Sequence, residues 1–215
     1  MKPVRTRRAA LAATSLAAAL LLAACGGGGS GTADTTPRLS ISSVKVFGDS
    51  IQDSGTFGYK FTVQTPDNLI YAERIAANYG QTLCNFFVFT GTTFAPNSKA
   101  GCTNFAIGGG RITYTGAGGA ANPLNIGTQM ATYASMASFA ASDLVIIDGG
   151  GNDAADLVGA YLKAPFDKAA SYSGLLATLL QPAQIGAALQ GGAATTGAIG
   201  LDYMKALAGK FYGQI

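Results

Sequence analysis

A chain of 215 residues, 48% of them hydrophobic and 12% charged, is long enough for one buried core and short for two. Its formal charge of +3 rests on Lys2, Arg5, Arg7 and Arg8; beyond residue 25, ten Lys and Arg face eleven Asp and Glu. That balance offers no basic footing for nucleic acid, and with no histidine and three cysteines it leaves little to build a zinc site from.

At the N-terminus the cationic "KPVRTRR" precedes sixteen uncharged residues, "AALAATSLAAALLLAA". This run is short for a membrane span and suits the apolar part of an export signal. It closes on Leu22-Ala23-Ala24-Cys25, which resembles the lipobox of bacterial lipoproteins. The resemblance implies that residues 1–25 are a signal peptide, that Cys25 is lipidated, and that acyl chains anchor the protein in the cell envelope. Gly26 at the next position is what lipoproteins sent on to an outer membrane usually carry. Residues 26–43, "GGGGSGTADTTPRLSISS", cannot bury a core and read as a flexible tether, which sets the folded part at 44–215. Gly26, Gly28 and Gly31 match G-x-G-x-x-G formally, but no strand precedes them and no helix follows, so a dinucleotide reading fails.

In the folded part, three short apolar runs each stop at glycine: "VKVFGDS" (44–50), "NFAIGGG" (104–110) and "DLVIIDGGGND" (143–153). Helix-like stretches lie between them. "LIYAERIAANYG" (69–80) has Gly80 as its stop; "IGTQMATYASMASFAAS" (126–142) carries Met130, Tyr133, Met136 and Phe139 at three-residue spacing. Alternating strands and helices predict a parallel α/β sheet, with "LVII" as a strand covered on both faces. Residues 154–215 read as helical, best in "YSGLLATLLQ" and "DYMKALAGKFYG", with Met204, Leu207 and Phe211 as a core stripe and "LQGGAATTGAIG" as a loop. Cys84 and Cys102 form an even pair, expected as a disulfide in an oxidising compartment and otherwise as two buried thiols.

Parallel strands point one way, so the residues after each strand gather on one edge of the sheet, where open α/β sheets bind ligands. Gly48-Asp49-Ser50, Gly108-Gly109-Gly110 and Gly150-Gly151-Asn152-Asp153 are therefore expected as neighbours. A serine at that edge becomes a nucleophile if a base takes its proton and fixed donors receive the oxyanion formed on a carbonyl. Glycine-turn amides and the Asn152 side chain are such donors.

Taken together, "VFGDSIQDSG", "NFAIGGG" and "GGND" resemble the first three blocks of the SGNH/GDSL hydrolase superfamily, in that family's order and over about half the chain. The resemblance implies a three-layer α/β/α flavodoxin-like fold and hydrolysis of carboxylic esters without a metal or organic cofactor. Ser50 is then the nucleophile, and the Ser50 N–H, the Gly109 N–H and the Asn152 side chain form the oxyanion hole. Gly109 is preferred over Gly108 by counting from Asn104. Gly48, Asp49, Asp53, Gly108, Gly150 and Asp153 are assigned to support of the turns. Small-molecule or lipid esters are the implied substrates, with the membrane as the only other partner.

The family's fourth block, Asp-x-x-His, is missing, since the chain has no histidine. Without an imidazole, residual catalysis of roughly 10³ to 10⁴ over water is what donors and binding alone supply. The chain is accordingly expected to stop short of that block, leaving the domain incomplete at its C-terminus. The alternative is a noncatalytic envelope lipoprotein whose cleft binds without turnover. A divalent-metal site on Asp49, Asp53, Asp148 and Asp153 is a third, weaker reading.

Overall fold

The computed structural model describes residues 40–63 and 68–215; the signal-peptide segment, Cys25, Gly26 and most of the tether lie outside the described residues. In chain order the elements are β1 (Ser43–Phe47), α1 (Tyr71–Asn78), β2 (Phe87–Phe89), β3 (Phe94–Pro96), a 3-10 turn (Gly119–Ala121), α2 (Ile126–Met136), β4 (Asp143–Ile147), α3 (Gly151–Lys163), α4 (Ala170–Leu176), α5 (Pro182–Gln190) and α6 (Ala193–Gln214). The fold is mixed α/β, with a small parallel sheet at its centre.

Strands β1 and β4 pair in parallel, from Ser43 opposite Asp143 to Phe47 opposite Ile147. On the other flank of β1 the predicted "NFAIGGG" strand is an extended segment in parallel contact. Val46 N–H donates to Thr103 O at 3.0 Å, Phe105 N–H to Val46 O at 2.7 Å, and Ile107 N–H to Gly48 O at 3.2 Å. Asn85 continues the parallel pairing outward through Asn104. Strands β2 and β3 form a separate antiparallel hairpin.

Side-chain alternation along β1 divides the core into two, one on each face of the sheet. Val44, Val46 and Ala106 pack with Ala72 and Ala76 of α1. Phe47, Phe105 and Ile107 face the other way, against Ile126, Met130 and Tyr133 of α2 and the later helices. Phe105 stacks between Phe47 and Phe86, with ring centroids at 5.3 and 4.4 Å, so the central strands are held by aromatic contact as well as by backbone bonds.

The helices have local causes. In α1, Glu73 accepts the Ile70 N–H at 2.9 Å and satisfies one of the free donors at the helix start. Gly80, at φ +71°, stops the chain shortly after. Pro182 opens α5 in the first turn, where its missing N–H costs nothing.

Three expectations need correction. Helix α2 ends at Met136, so Phe139 lies beyond it; Met130 and Tyr133 are buried, whereas Met136 and Phe139 are about half exposed. The "LVII" strand is not covered all round: Val145 is exposed and its neighbours are half-buried, because β4 pairs on the β1 side only among the described residues. The segment read as a loop, "LQGGAATTGAIG", breaks only at Gly191-Gly192, and α6 begins at Ala193. Thr195 and Thr196 turn their hydroxyls onto the Ala188 and Gly192 carbonyls there, which ties the start of α6 back to the end of α5. The core stripe does follow the sequence: Leu207 is buried, and Met204 and Phe211 pack against it.

A disulfide joins Cys84 to Cys102, with Cα atoms 4.8 Å apart. It encloses the β2–β3 hairpin and lies next to the outer rung of the sheet, where Asn104 N–H donates to Cys84 O at 3.1 Å. Replacing both cysteines by alanine is expected to cost about 3 kcal/mol, the entropy of opening a loop of this length. Denaturant melts of the variant and the wild type measure it.

Candidate active site

Strand β1 is followed by Gly48, whose φ of +155° is a value that side-chain-bearing residues rarely take. A Cβ there would stand 1.9 Å from Asp148 Oδ1, so glycine is required both by conformation and by space. The chain then folds back over Asp49 and Ser50. Gln52 N–H returns to Asp49 O at 3.2 Å, and Ile51 N–H to Asp49 Oδ1 at 3.0 Å. Ser50 sits half-buried at the tip.

The second loop is held from below by Asp53. Its Oδ1 accepts the Gly55 and Thr56 N–H groups at 2.9 and 2.7 Å, and its Oδ2 accepts the Gly108 N–H at 2.7 Å. Burial pushes this carboxyl above the usual carboxylate range, and those amides pull against the shift. Gly110 N–H donates to Ile107 O at 2.9 Å, so two of the three glycine amides are committed. Gly109, at φ +83°, has an N–H that meets no protein acceptor among the described residues. Its carbonyl takes Arg111 Nη1 at 2.6 Å, while the same guanidinium grips Asp156 of α3 at 2.5 and 3.0 Å.

The third loop enters α3 through Gly150, at φ +99°. Asn152 Nδ2 donates to Gly110 O at 2.9 Å and lies 3.5 Å from Asp49 Oδ2. Asp153, buried, accepts the Ile112 and Thr113 N–H groups at 3.0 and 2.9 Å. One side chain, Asn152, therefore touches both of the other loops, although the first and third are about a hundred residues apart in sequence.

Two backbone donors, the N–H groups of Ser50 and Gly109, are without protein acceptors among the described residues, and Asn152 holds one amide hydrogen only at 3.5 Å. Such donors suit an anionic oxygen. The four carboxylates around them, Asp49, Asp53, Asp148 and Asp153, are each engaged with backbone amides of their own. Asp148 Oδ1 accepts the Asp49 N–H at 3.2 Å; burial, and then the charge of Asp49, raise its pKa. Beside it the wholly buried Gln52 amide lies close to Asp148 and Tyr71 without a well-formed hydrogen bond. The Tyr71 phenol is pushed up to about 12, first by burial and then by Asp148 and Asp49, so it stays protonated at neutral pH. Cavities of about 550 Å³ beside β4, about 520 Å³ between α4 and α5, and about 430 Å³ between α3 and α4 do not have Ser50 in their linings.

Sequence reasoning did not find Asn104, Arg111 or Gln129. Asn104 donates to Gln52 O at 2.7 Å and Ser54 Oγ at 3.0 Å, which ties the second loop to the first. Arg111 follows the glycine block directly, and a charge next to a tight turn was the available signal. Gln129 sits on α2 among apolar residues, where a buried polar side chain has no sequence mark. No protein-family model, curated protein or solved structure matches the chain.

Gly48→Ala should lower stability by at least about 2 kcal/mol, combining backbone strain with the clash against Asp148; urea unfolding measures it. Asp148→Asn tests the buried charge. Because the folded pKa of Asp148 lies above its ordinary value, its ionisation weakens the fold as pH rises through that folded pKa. The variant should therefore melt above the wild type at neutral pH, and the gap should close as pH falls towards about 4. A gap that stays constant with pH would contradict this.

Proposed function

We propose that the chain is a serine-dependent hydrolase of carboxylic esters, of the SGNH/GDSL type, anchored at the cell envelope through lipidated Cys25. The observation that carries the reading is the reach of Asn152, 2.9 Å from Gly110 O and 3.5 Å from Asp49 Oδ2, together with Ser50 and Gly109 amides that have no protein acceptor among the described residues. It supports a common rim for the three blocks that resemble that family. Helices on both faces of a parallel sheet support the flavodoxin-like three-layer arrangement that goes with it.

On this reading Ser50 Oγ attacks the acyl carbon, and its proton passes to a base and then to the departing alcohol. The carbonyl oxygen turns anionic and is met by the Ser50 N–H, the Gly109 N–H and the Asn152 amide, worth on the order of 3 kcal/mol per donor in the transition state. Water then cleaves the acyl-serine. Asp53 and Asp153 hold the amides of Gly108, Ile112 and Thr113, while Gly48 and Gly150 supply the backbone turns. Lipid, aryl and acetylated-sugar esters all offer the required carbonyl.

The sequence holds no imidazole, and this favours a second reading in which the same cleft binds an acyl ligand without turnover. One experiment separates the two. The wild type and Ser50→Ala are treated with an activated aryl acetate, with and without added imidazole, and acetyl-serine is read by mass spectrometry. The hydrolase reading expects acetylation at Ser50 in the wild type, raised by imidazole as an external base, and none in Ser50→Ala. Equal labelling of both proteins removes Ser50 from the chemistry; binding of the ester without acetylation under either condition leaves the second reading.

A further inference from the structure

The hydrogen-bond ladder on the inner flank of β1 changes partner at its last rung. Val46 N–H donates to Thr103 O, and two residues later the Gly48 N–H has left the neighbouring segment for Gln129 Oε1, at 2.8 Å. Gln129 Nε2 donates to Gly48 O at 3.0 Å and to Pro123 O at 3.0 Å. Gln129 is fully buried, and both of its amide hydrogens and its oxygen are used.

The Gly48 N–H and C=O belong to the two peptide groups that flank one Cα. A single side chain that binds both fixes φ and ψ of that residue, which is the hinge at which Asp49 and Ser50 leave the strand. Glycine has no Cβ to restrict those angles, so the restriction has to come from elsewhere. We propose, resting on the hydrolase reading, that Gln129 is a positioning residue for the nucleophile: its amide sets the angle at which Ser50 is presented to Gly109 and Asn152. The Gly48 carbonyl is also where the loops meet, since Ile107 N–H reaches it at 3.2 Å and Gly110 packs so closely that a Cβ there would stand 2.6 Å from it. A shift of Gly48 O moves the nucleophile and the second loop relative to each other.

Gln129→Glu is the informative change. Ionised, the new side chain still accepts the Gly48 N–H but turns an oxygen towards two carbonyls. Protonated, it donates to one of them and nearly restores the amide. Burial and those carbonyls hold its pKa well above the ordinary carboxylate range. In the full-length chain, with added imidazole and an aryl acetate, the variant should acylate Ser50 about tenfold more slowly than the wild type at about pH 8 and recover towards it at about pH 5. Gln129→Met, of similar size and without donors, should be slow at both pH values. A Gln129→Glu to wild-type ratio that does not change with pH, or wild-type labelling in a folded Gln129→Met, overturns the proposal.

A second measurement is independent of activity and of the variants' folding. In the wild type, NMR should show a scalar coupling across the hydrogen bond between the Gly48 amide nitrogen and the Gln129 side-chain carbonyl carbon. Its absence overturns the clamp. If the wild type shows the coupling but never acylates Ser50, the hydrolase reading and the positioning role that rests on it fall, while the clamp stands as a feature of the fold.

Discussion

Because β1 is paired in parallel with segment 103–107 on one flank and with β4 on the other, all three run out of ladder partners at the same rim. Each must then turn, and each turns on glycine. The backbone amides freed at those turns have to find acceptors or stay exposed at a surface. Asp53 takes Gly108, Asp153 takes Ile112 and Thr113, and Gln129 takes Gly48. The amides of Ser50 and Gly109 are left without protein acceptors among the described residues, and the proposed chemistry draws on this remainder.

The same arrangement carries an electrostatic cost. Asp49 stands close enough to Asp148 for its charge to raise the Asp148 pKa, and on the proposed reading an oxyanion forming at Ser50 would add a further negative charge nearby. Donors aimed at the reacting oxygen have to outweigh those carboxylates. Arg111 braces the loop: it holds the Gly109 carbonyl and Asp156 together, and the same Gly109–Gly110 peptide is fixed from its other side by the Gly110 N–H on Ile107 O. Buried polar groups with all their bonds made are rigid, and rigidity is what an anion-stabilising turn requires.

Much of this was legible in the sequence. Strands ending at glycine, read with the one-way direction of a parallel sheet, brought positions 50, 109 and 152 towards one edge, because backbone periodicity and turn chemistry are local properties. What stayed hidden depends on contacts between distant residues. Gln129 reads as a polar interruption in an apolar helix, and only the fold reveals that it faces the end of β1. The openness of β4 was hidden for the same reason. "LVII" is equally apolar whether or not a neighbour covers it, and Val145 is exposed because pairing is present on one side alone. Helix α2 stopped at Met136, short of Phe139, although Ala and Ser favour no particular stop there; the aromatic group around Phe47, Tyr133 and Phe139 packs with Phe139 outside the helix.

The disulfide gives the site a dependence on its surroundings. Cys84 and Cys102 fasten the chain beside Asn104, and Asn104 in turn holds the Gln52 carbonyl and the Ser54 hydroxyl just after Ser50. While the thiols remain reduced, the segment that steadies the serine is tethered by weaker forces. A newly made chain would thus mature in two stages, folding first and stiffening around Ser50 only once an oxidant has acted.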